Sequence, residues 1–197
     1  MISPHGKAII DLSAIAHNTE LIKTRATGAQ VMALVKADGY GHGLVQSARA
    51  AQAGGADWLA TATMTEAIAL REAGIQGPVL CWLYGPSDPF MESISRDIDL
   101  GVSSVGAVEA ISQAAYNVIR RARVHIKVDT GMGRNGVPMN ELPKLLQALF
   151  RHQENIEVIG IMSHLASADD FSDEQTSLQL KNFKEAIEIV SNAGIEI

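Results

Sequence analysis

The chain has 197 residues, enough for one large domain or two small ones with a substantial core. Apolar residues make up 47% and charged residues 19%, which excludes a disordered chain. A formal charge of −6 argues against a nucleic-acid surface; the densest basic spot, Arg120, Arg121 and Arg123, falls where a helix should end and suits its macrodipole.

Met1 to Lys7 has no apolar signal core, and no stretch approaches the roughly 20 apolar residues of a membrane span. Cys81, the single cysteine, lies in the apolar run Val79 to Tyr84 and reads as a core thiol. A reducing, cytoplasmic location is expected.

Lys7 to Leu12 is expected as a short strand, and Leu12 to Thr24 as a helix with Leu12, Ile15, Leu21 and Ile22 near one face. Val31 to Lys36 is read as a fully buried strand, β-branched at both ends of its apolar run. Leu44 to Ala53 reads as a helix stopped by Gly54 and Gly55. Trp58 to Ala62 is a strand, and Thr63 and Glu66 have capping-box spacing for a helix to about Ala73, ended by Gly74. A strand over Val79 to Leu83, a helix near 89 to 96, a strand at 98 to 102 and a helix at about 105 to 119 follow. Then come a strand at Val124 to Val128, a glycine-rich loop, a helix at about 140 to 152 capped by Asn140, and a buried strand at Ile156 to Met162. Ser172 and Gln175 are expected to cap the last helix, whose apolar positions include Leu180, Phe183, Ile187 and Val190. Gly194 ends it, and Ile195-Glu196-Ile197 starts a further strand.

Strands alternating with helices every ~20–35 residues indicate a parallel sheet of βαβ units. Six units from residue 31 and a seventh just starting point to an α/β fold of the (β/α)8 barrel class, incomplete in this chain. Residues 1–197 are expected to form one barrel domain truncated at its C-terminal end, since missing strands would leave two apolar edges open. The sequence is therefore expected to be a piece of a longer protein.

Three polar constellations stand directly after strands. They are Lys36 with Tyr40 and His42, then Lys127, Asp129 and Arg134, then Ser163-His164. In a barrel all three converge on the C-terminal face, where such folds place active sites. A lysine at a buried strand mouth is rarely without a partner or a task, and desolvation favours the neutral amine that attacks carbonyls. Bland readings stand beside each. Lys36 fits a strand-end lysine reaching solvent, Tyr40 a packing residue, His42 a structural loop histidine, Arg134 a solvated turn residue and His164 a satisfied core histidine. No metal ligand set is assigned.

Gly131-Met-Gly133-Arg-Asn-Gly136 matches the dinucleotide fingerprint, but Pro138 intervenes before any helix and Asp129 puts negative charge where a pyrophosphate would lie. A nicotinamide site is rejected.

Val35-Lys-Ala-Asp-Gly-Tyr-Gly-His-Gly43, Lys127-Val-Asp-Thr-Gly-Met-Gly-Arg134 and Ser163-His164 resemble three signature blocks of bacterial alanine racemase. The resemblance covers the whole chain but only about half of the family's length. It implies pyridoxal phosphate as cofactor, a homodimer, and an N-terminal (β/α)8 barrel followed by a β domain. Matched position by position, Lys36 would form the Schiff base with the cofactor and shuttle the Cα proton on one face of the substrate. Tyr40 would lie near the cofactor phosphate, Arg134 would contact its phenolic oxygen and help place the substrate carboxylate, and His164 would line the pocket under the pyridine ring. Lys127 matches a lysine carbamylated in some members, where it orients that arginine. Gly39 stands where other members have alanine, a change expected to be tolerated in a loop.

Racemisation needs an electron sink and two acid/base groups on opposite faces of Cα. Lys36 serves one face, and the resemblance implies a tyrosine of the partner subunit's C-terminal domain for the other. The expected reaction is interconversion of L- and D-alanine, with D-alanine supplying cell-wall peptidoglycan. A racemase for serine or another small amino acid is a close variant. A non-catalytic cofactor-binding or dimerising fragment is the alternative of a different class, and the isolated chain is expected to show little turnover. Neither nucleic acid nor membrane is expected as a partner.

Overall fold

The structure is a computed structural model and describes residues 6–170, 172–195 and 197. Residues 1–5, Phe171 and Glu196, on the last of which the expected final strand rests, lie outside the described residues. Two compact units divide the chain, Met1–Leu80 and Cys81–Ile197.

The first unit comprises α1 (Leu12–Arg25), β1 (Met32–Leu34), α2 (Leu44–Ala53), β2 (Trp58–Thr63) and α3 (Met64–Glu72); the division falls within β3 (Val79–Leu83). Residues 7–11 form no strand. Asp11 instead caps α1, its carboxylate accepting from the amides of Ser13 (2.9 Å) and Ala14 (3.2 Å). The expected apolar face of α1 is also corrected: Leu12, Leu21 and Ile22 are exposed, and only Thr19 is buried. The helix packs through small groups. A Cβ on Gly54 would lie 2.2 Å from the Ala16 carbonyl, so only glycine allows this approach to α2.

β1 pairs in parallel with β2, Met32 against Trp58 and Leu34 against Ala60. It is shorter than expected and not fully buried, with Leu34 41% exposed and only Val35 inside. A closed-barrel strand would hide all of them. The capping box of α3 forms as expected.

The second unit contains α4 (Phe90–Ser95), β4 (Ile98–Val102), α5 (Val105–Val118), β5 (Ala122–Asp129), α6 (Leu142–Arg151), β6 (Ile156–Met162) and α7 (Gln175–Asn192). β5 pairs in parallel with β4 and with β6, with a register shift at Val124/His125 on the β6 side. Among the described residues, six strands are each followed by a helix, so the expected α/β repeat holds. Val124, Ile126 and Val128 are buried on one face of β5. The opposite face carries Arg123, His125 and Lys127, an alternation that follows from the two-residue period of a strand.

Cys81 is fully buried, as a core thiol should be. Arg120, Arg121 and Arg123 do not serve the end of α5. Arg120 binds Asp97 (2.6 Å) and the Ser95 carbonyl (2.8 Å), Arg121 the carbonyls of Gln153 and Ile156, and Arg123 the buried Asp99. Asn140 is not the cap of α6. The helix starts at Leu142 with Pro143 in its first turn, where the missing N–H costs nothing. Ser172 bonds to Asp170 instead of capping α7, and Gln175 is already helical, its amide held by Asp173 (2.9 Å). Leu180 and Ile187 are exposed, and the buried stripe of α7 is Gln179, Ala186 and Val190.

Ile119 ends α5 in the left-handed region (φ 54°, ψ 44°) while 92% exposed. A β-branched residue is poorly suited to that conformation, which ordinarily favours glycine or asparagine. Ile119→Asn should therefore stabilise the chain by about 1 kcal/mol, read as a higher urea midpoint with unchanged slope.

Candidate functional site

Val35 extends the pairing of β1, its amide donating to the Ala60 carbonyl (2.9 Å), and Lys36 follows at the carboxyl end of the strand. Next, Ala37, Asp38, Gly39 and Tyr40 all take positive φ (52°, 55°, 62° and 56°), one turn of left-handed helix. Three of those residues carry a Cβ, and each such residue costs about 1–2 kcal/mol. Local bonds hold the turn. The Gly39 amide donates to the Val35 carbonyl (2.8 Å), the Leu44 amide to Asp38 Oδ1 (2.7 Å), and His42 Nδ1 lies 2.9 Å from the Gly39 carbonyl.

His42 is thus a structural loop histidine. Lys36 is half-buried, with its Nζ 5.7 Å from the centre of the exposed Tyr40 ring. Gly39 is more constrained than a tolerant loop position. It is buried, and a Cβ there would lie 2.5 Å from Ser47 Oγ, so alanine would require Ser47 to move.

The second unit carries the other two constellations, each at the carboxyl end of its strand. Lys127 is buried on β5, its Nζ 5.3 Å from the Trp82 ring centre. Arg134 is exposed on the loop after β5. Asp129 Oδ1 curls that loop by accepting from the amides of Gly131 (3.0 Å) and Gly133 (3.1 Å). A Cβ on Gly136 would lie 2.4 Å from the Asp129 amide nitrogen, so the loop returns hard against its own strand. The dinucleotide fingerprint is absent in three dimensions as well. The Asp129 carboxylate fills the amides a phosphate would need, and no helix starts before Leu142.

Ser163 and exposed His164 follow β6. Ser163 Oγ donates to the Val128 carbonyl (2.9 Å) and lies 2.7 Å from Thr130 Oγ1, tying the end of β6 to the end of β5. His164 has its imidazole at the surface, so it is not a core histidine. Tyr84 donates its hydroxyl to the Gly101 carbonyl (2.6 Å), and burial pushes its phenol well above the ordinary tyrosine range.

Two supporting groups were not singled out from the sequence. Gln179 of α7 is fully buried, donating to the His164 carbonyl (2.9 Å) and Thr130 Oγ1 (3.1 Å) and accepting from the Ala166 amide (2.8 Å). It staples the Arg134 loop to the His164 loop. Its signal was available: an uncharged polar residue in the helical register of Ala186 and Val190. Buried Asp99 accepts from Arg123 Nε (2.9 Å) and faces His125 Nε2 at 3.0 Å. Alternating Arg123, His125 and Lys127 were the readable sign of that polar strand face.

Residues 10–197 match the family model described as alanine racemase, N-terminal domain. The alanine racemase of Thermobifida fusca is 46% identical over 196 residues, covering 98% of this chain and 52% of that protein. The crystal structure of alanine racemase from D-cycloserine-producing Streptomyces lavendulae superposes with a TM-score of 0.93 at 41% identity, covering 95% of this chain and 50% of that one. The Bacillus anthracis alanine racemase with bound L-Ala-P gives 0.84 at 31% identity, covering 95% and 48%. The chain spans about half the length of the curated relatives it matches. The incomplete (β/α)8 class expected from the strand–helix repeat is that of these neighbours. By its family match and its relatives alike, the chain belongs to the alanine racemase family and corresponds to its N-terminal domain.

Proposed function

We propose that residues 1–197 are the greater part of the barrel domain of a pyridoxal-phosphate-dependent alanine racemase, with Lys36 as its cofactor lysine. The observation that carries this reading is the placement of Lys36. It sits at the carboxyl end of β1, directly before a left-handed turn held by bonds from α3 and from the His42–Leu44 segment.

The residues suit the group chemically: a half-buried primary amine for an aldehyde, a phenol beside it, and an exposed guanidinium and imidazole at two other strand ends. When bound, pyridoxal phosphate supplies an electron sink for the carbanion left by Cα proton loss. In this reading Lys36 Nζ would hold the cofactor and move the proton on one face of Cα. Arg134 would help hold the cofactor and place the substrate carboxylate, and Tyr40 and His164 would complete the cofactor's pocket on its phosphate and ring sides. Buried Lys127, beside Trp82, supports Arg134, as a carbamate or as the amine. The opposite face requires a second acid/base group, which in this reading comes from the partner subunit of a homodimer. D-alanine made in the cytoplasm for peptidoglycan is the corresponding role. No helix among the described residues is long and apolar enough to cross a membrane.

In the protein that contains this chain, Lys36→Ala should lower D-alanine formation from L-alanine by at least about a thousandfold, because one residue serves as both nucleophile and base. A coupled D-amino-acid oxidase assay reads this directly. Retained turnover in the variant, or an intact protein inert towards alanine, would refute the proposal.

A further inference from the structure

Glu66 lies in the first turn of α3, and its place in the capping box accounts for only part of its bonding. Oε2 accepts from the Ala62 amide (3.2 Å), the Thr63 amide (3.1 Å) and Thr63 Oγ1 (3.1 Å). Oε1 accepts from the amide of Ala37 at 2.6 Å, the shortest of these bonds, although 29 residues separate the partners. Ala37 opens the left-handed turn. A turn of either hand begins with N–H groups that its own carbonyls cannot reach. One carboxylate therefore caps two turns of opposite hand, the left-handed one following Lys36 and the right-handed start of α3.

Left-handed residues bearing a Cβ persist only where surrounding structure holds them. Asp38 and His42 fasten the later part of the turn to the segment between Gly39 and Leu44. Ala37, adjacent to Lys36, is held from α3 by Glu66. A shift of this peptide plane would swing the Cα–Cβ bond of Lys36, and a long side chain amplifies that swing at Nζ.

We propose that Glu66 is a positioning residue for Lys36: its carboxylate ties the backbone directly after the lysine to the β2–α3 junction and so sets where the amine points. Its functional half rests on Lys36 being the cofactor lysine; its structural half does not.

The two halves are read separately. In the cofactor-free chain, Glu66→Ala should speed hydrogen exchange at the Ala37 amide by about tenfold or more, while the core amides of β2 and α2 keep their protection. Glu66→Gln should give an intermediate value. Its amide oxygen can face Ala37 or the Ala62–Thr63 pair, but its NH2 repels the donors on the other side. Thr63→Ala is the control, since it removes the hydroxyl from the α3 cap and leaves the Glu66–Ala37 bond in place.

The same proteins are then incubated with pyridoxal phosphate, reduced with borohydride and mapped by peptide mass spectrometry. The adduct at Lys36, relative to the other lysines, should fall about tenfold in Glu66→Ala and stay at the wild-type level in Thr63→Ala. Labelling of Lys36 at the wild-type level in Glu66→Ala overturns the proposal, as does a loss in Thr63→Ala equal to that in Glu66→Ala. If wild-type chain shows no preference for Lys36, the cofactor reading fails by itself. Exchange at Ala37 then decides the positioning role, accelerated in Glu66→Ala if it is right and unchanged if it is wrong.

Discussion

Gln179→Leu is expected to lower stability by about 3 kcal/mol and to loosen two loops at once. The side-chain amide is fully buried, and its three hydrogen bonds run to the loops after β5 and β6. Leucine fills the volume but removes the partner of the Ala166 N–H and of the His164 carbonyl. Both residues are exposed, so water recovers part of the loss, and each part-buried group costs about 1–2 kcal/mol. Thr130 Oγ1 keeps its bond with Ser163, so the loss stays below the sum of three. Urea unfolding measures the total, and faster exchange at the Ala166 amide localises it. Gln179→Glu separates bonding from charge. It retains an acceptor for Ala166 but buries a carboxylate, whose folded-state pKa must rise above its unfolded value. Its penalty is thus full above the folded pKa and relieved as pH falls through it, whereas the Gln179→Leu penalty is flat with pH.

Asp99→Leu should be of similar size, about 3 kcal/mol, for a different reason. Asp99 has a side chain only 4% exposed and receives Arg123 Nε and Nη2 (2.9 and 3.3 Å), with His125 Nε2 at 3.0 Å. Its hydrogen bond is the main cause holding the Arg123 guanidinium above the usual arginine range. Removing the carboxylate leaves a cation and an imidazole on the face of β5 that also carries Lys127, with three potential positive charges and no anion from Asp99. Arg123 remains 42% exposed on its side chain, so water recovers part of its share. Asp99→Leu combined with Arg123→Met should therefore cost less than the two single changes added, a coupling that a double-mutant cycle in urea would read. Additive losses would show that the pair is not an interacting unit.

These positions also show where the sequence was readable. Period-two and period-3.6 patterns located most elements because each responds to local burial: β3 and β4 occupy the expected ranges, and α2 runs from Leu44 to Ala53. Gly54 and Gly74 punctuated helix ends as glycine ordinarily does. The failures cluster where a partner far along the chain decides. Residues 7–11 alternate like a strand, yet Asp11 finds two amides in the next turn and caps a helix. The α1 leucines are exposed because Gly54, at the end of α2, lets the Ala16 and Thr19 side of the helix pack inward instead.

The candidate site divides the same way. Lys36, Lys127, Arg134 and His164 each stand at a strand's carboxyl end or in its loop, a placement that spacing alone could express. That Ala37 to Tyr40 would wind left-handed could not be read from their residue types, because three of the four residues disfavour it. Nor could spacing reveal that Glu66 would leave part of its cap to reach Ala37, or that Gln179 would bridge two loops from one helix. Those are tertiary choices, and they support the site without belonging to any local motif.

Lys36 is the one lysine of the chain proposed to carry the cofactor. Borohydride reduction of the chain with stoichiometric pyridoxal phosphate, followed by peptide mapping, tests this most directly. A pyridoxyl adduct concentrated on the peptide containing Lys36, and lost in Lys36→Ala, is the predicted result. Label spread over exposed lysines such as Lys144 and Lys181 in proportion to their accessibility would contradict it.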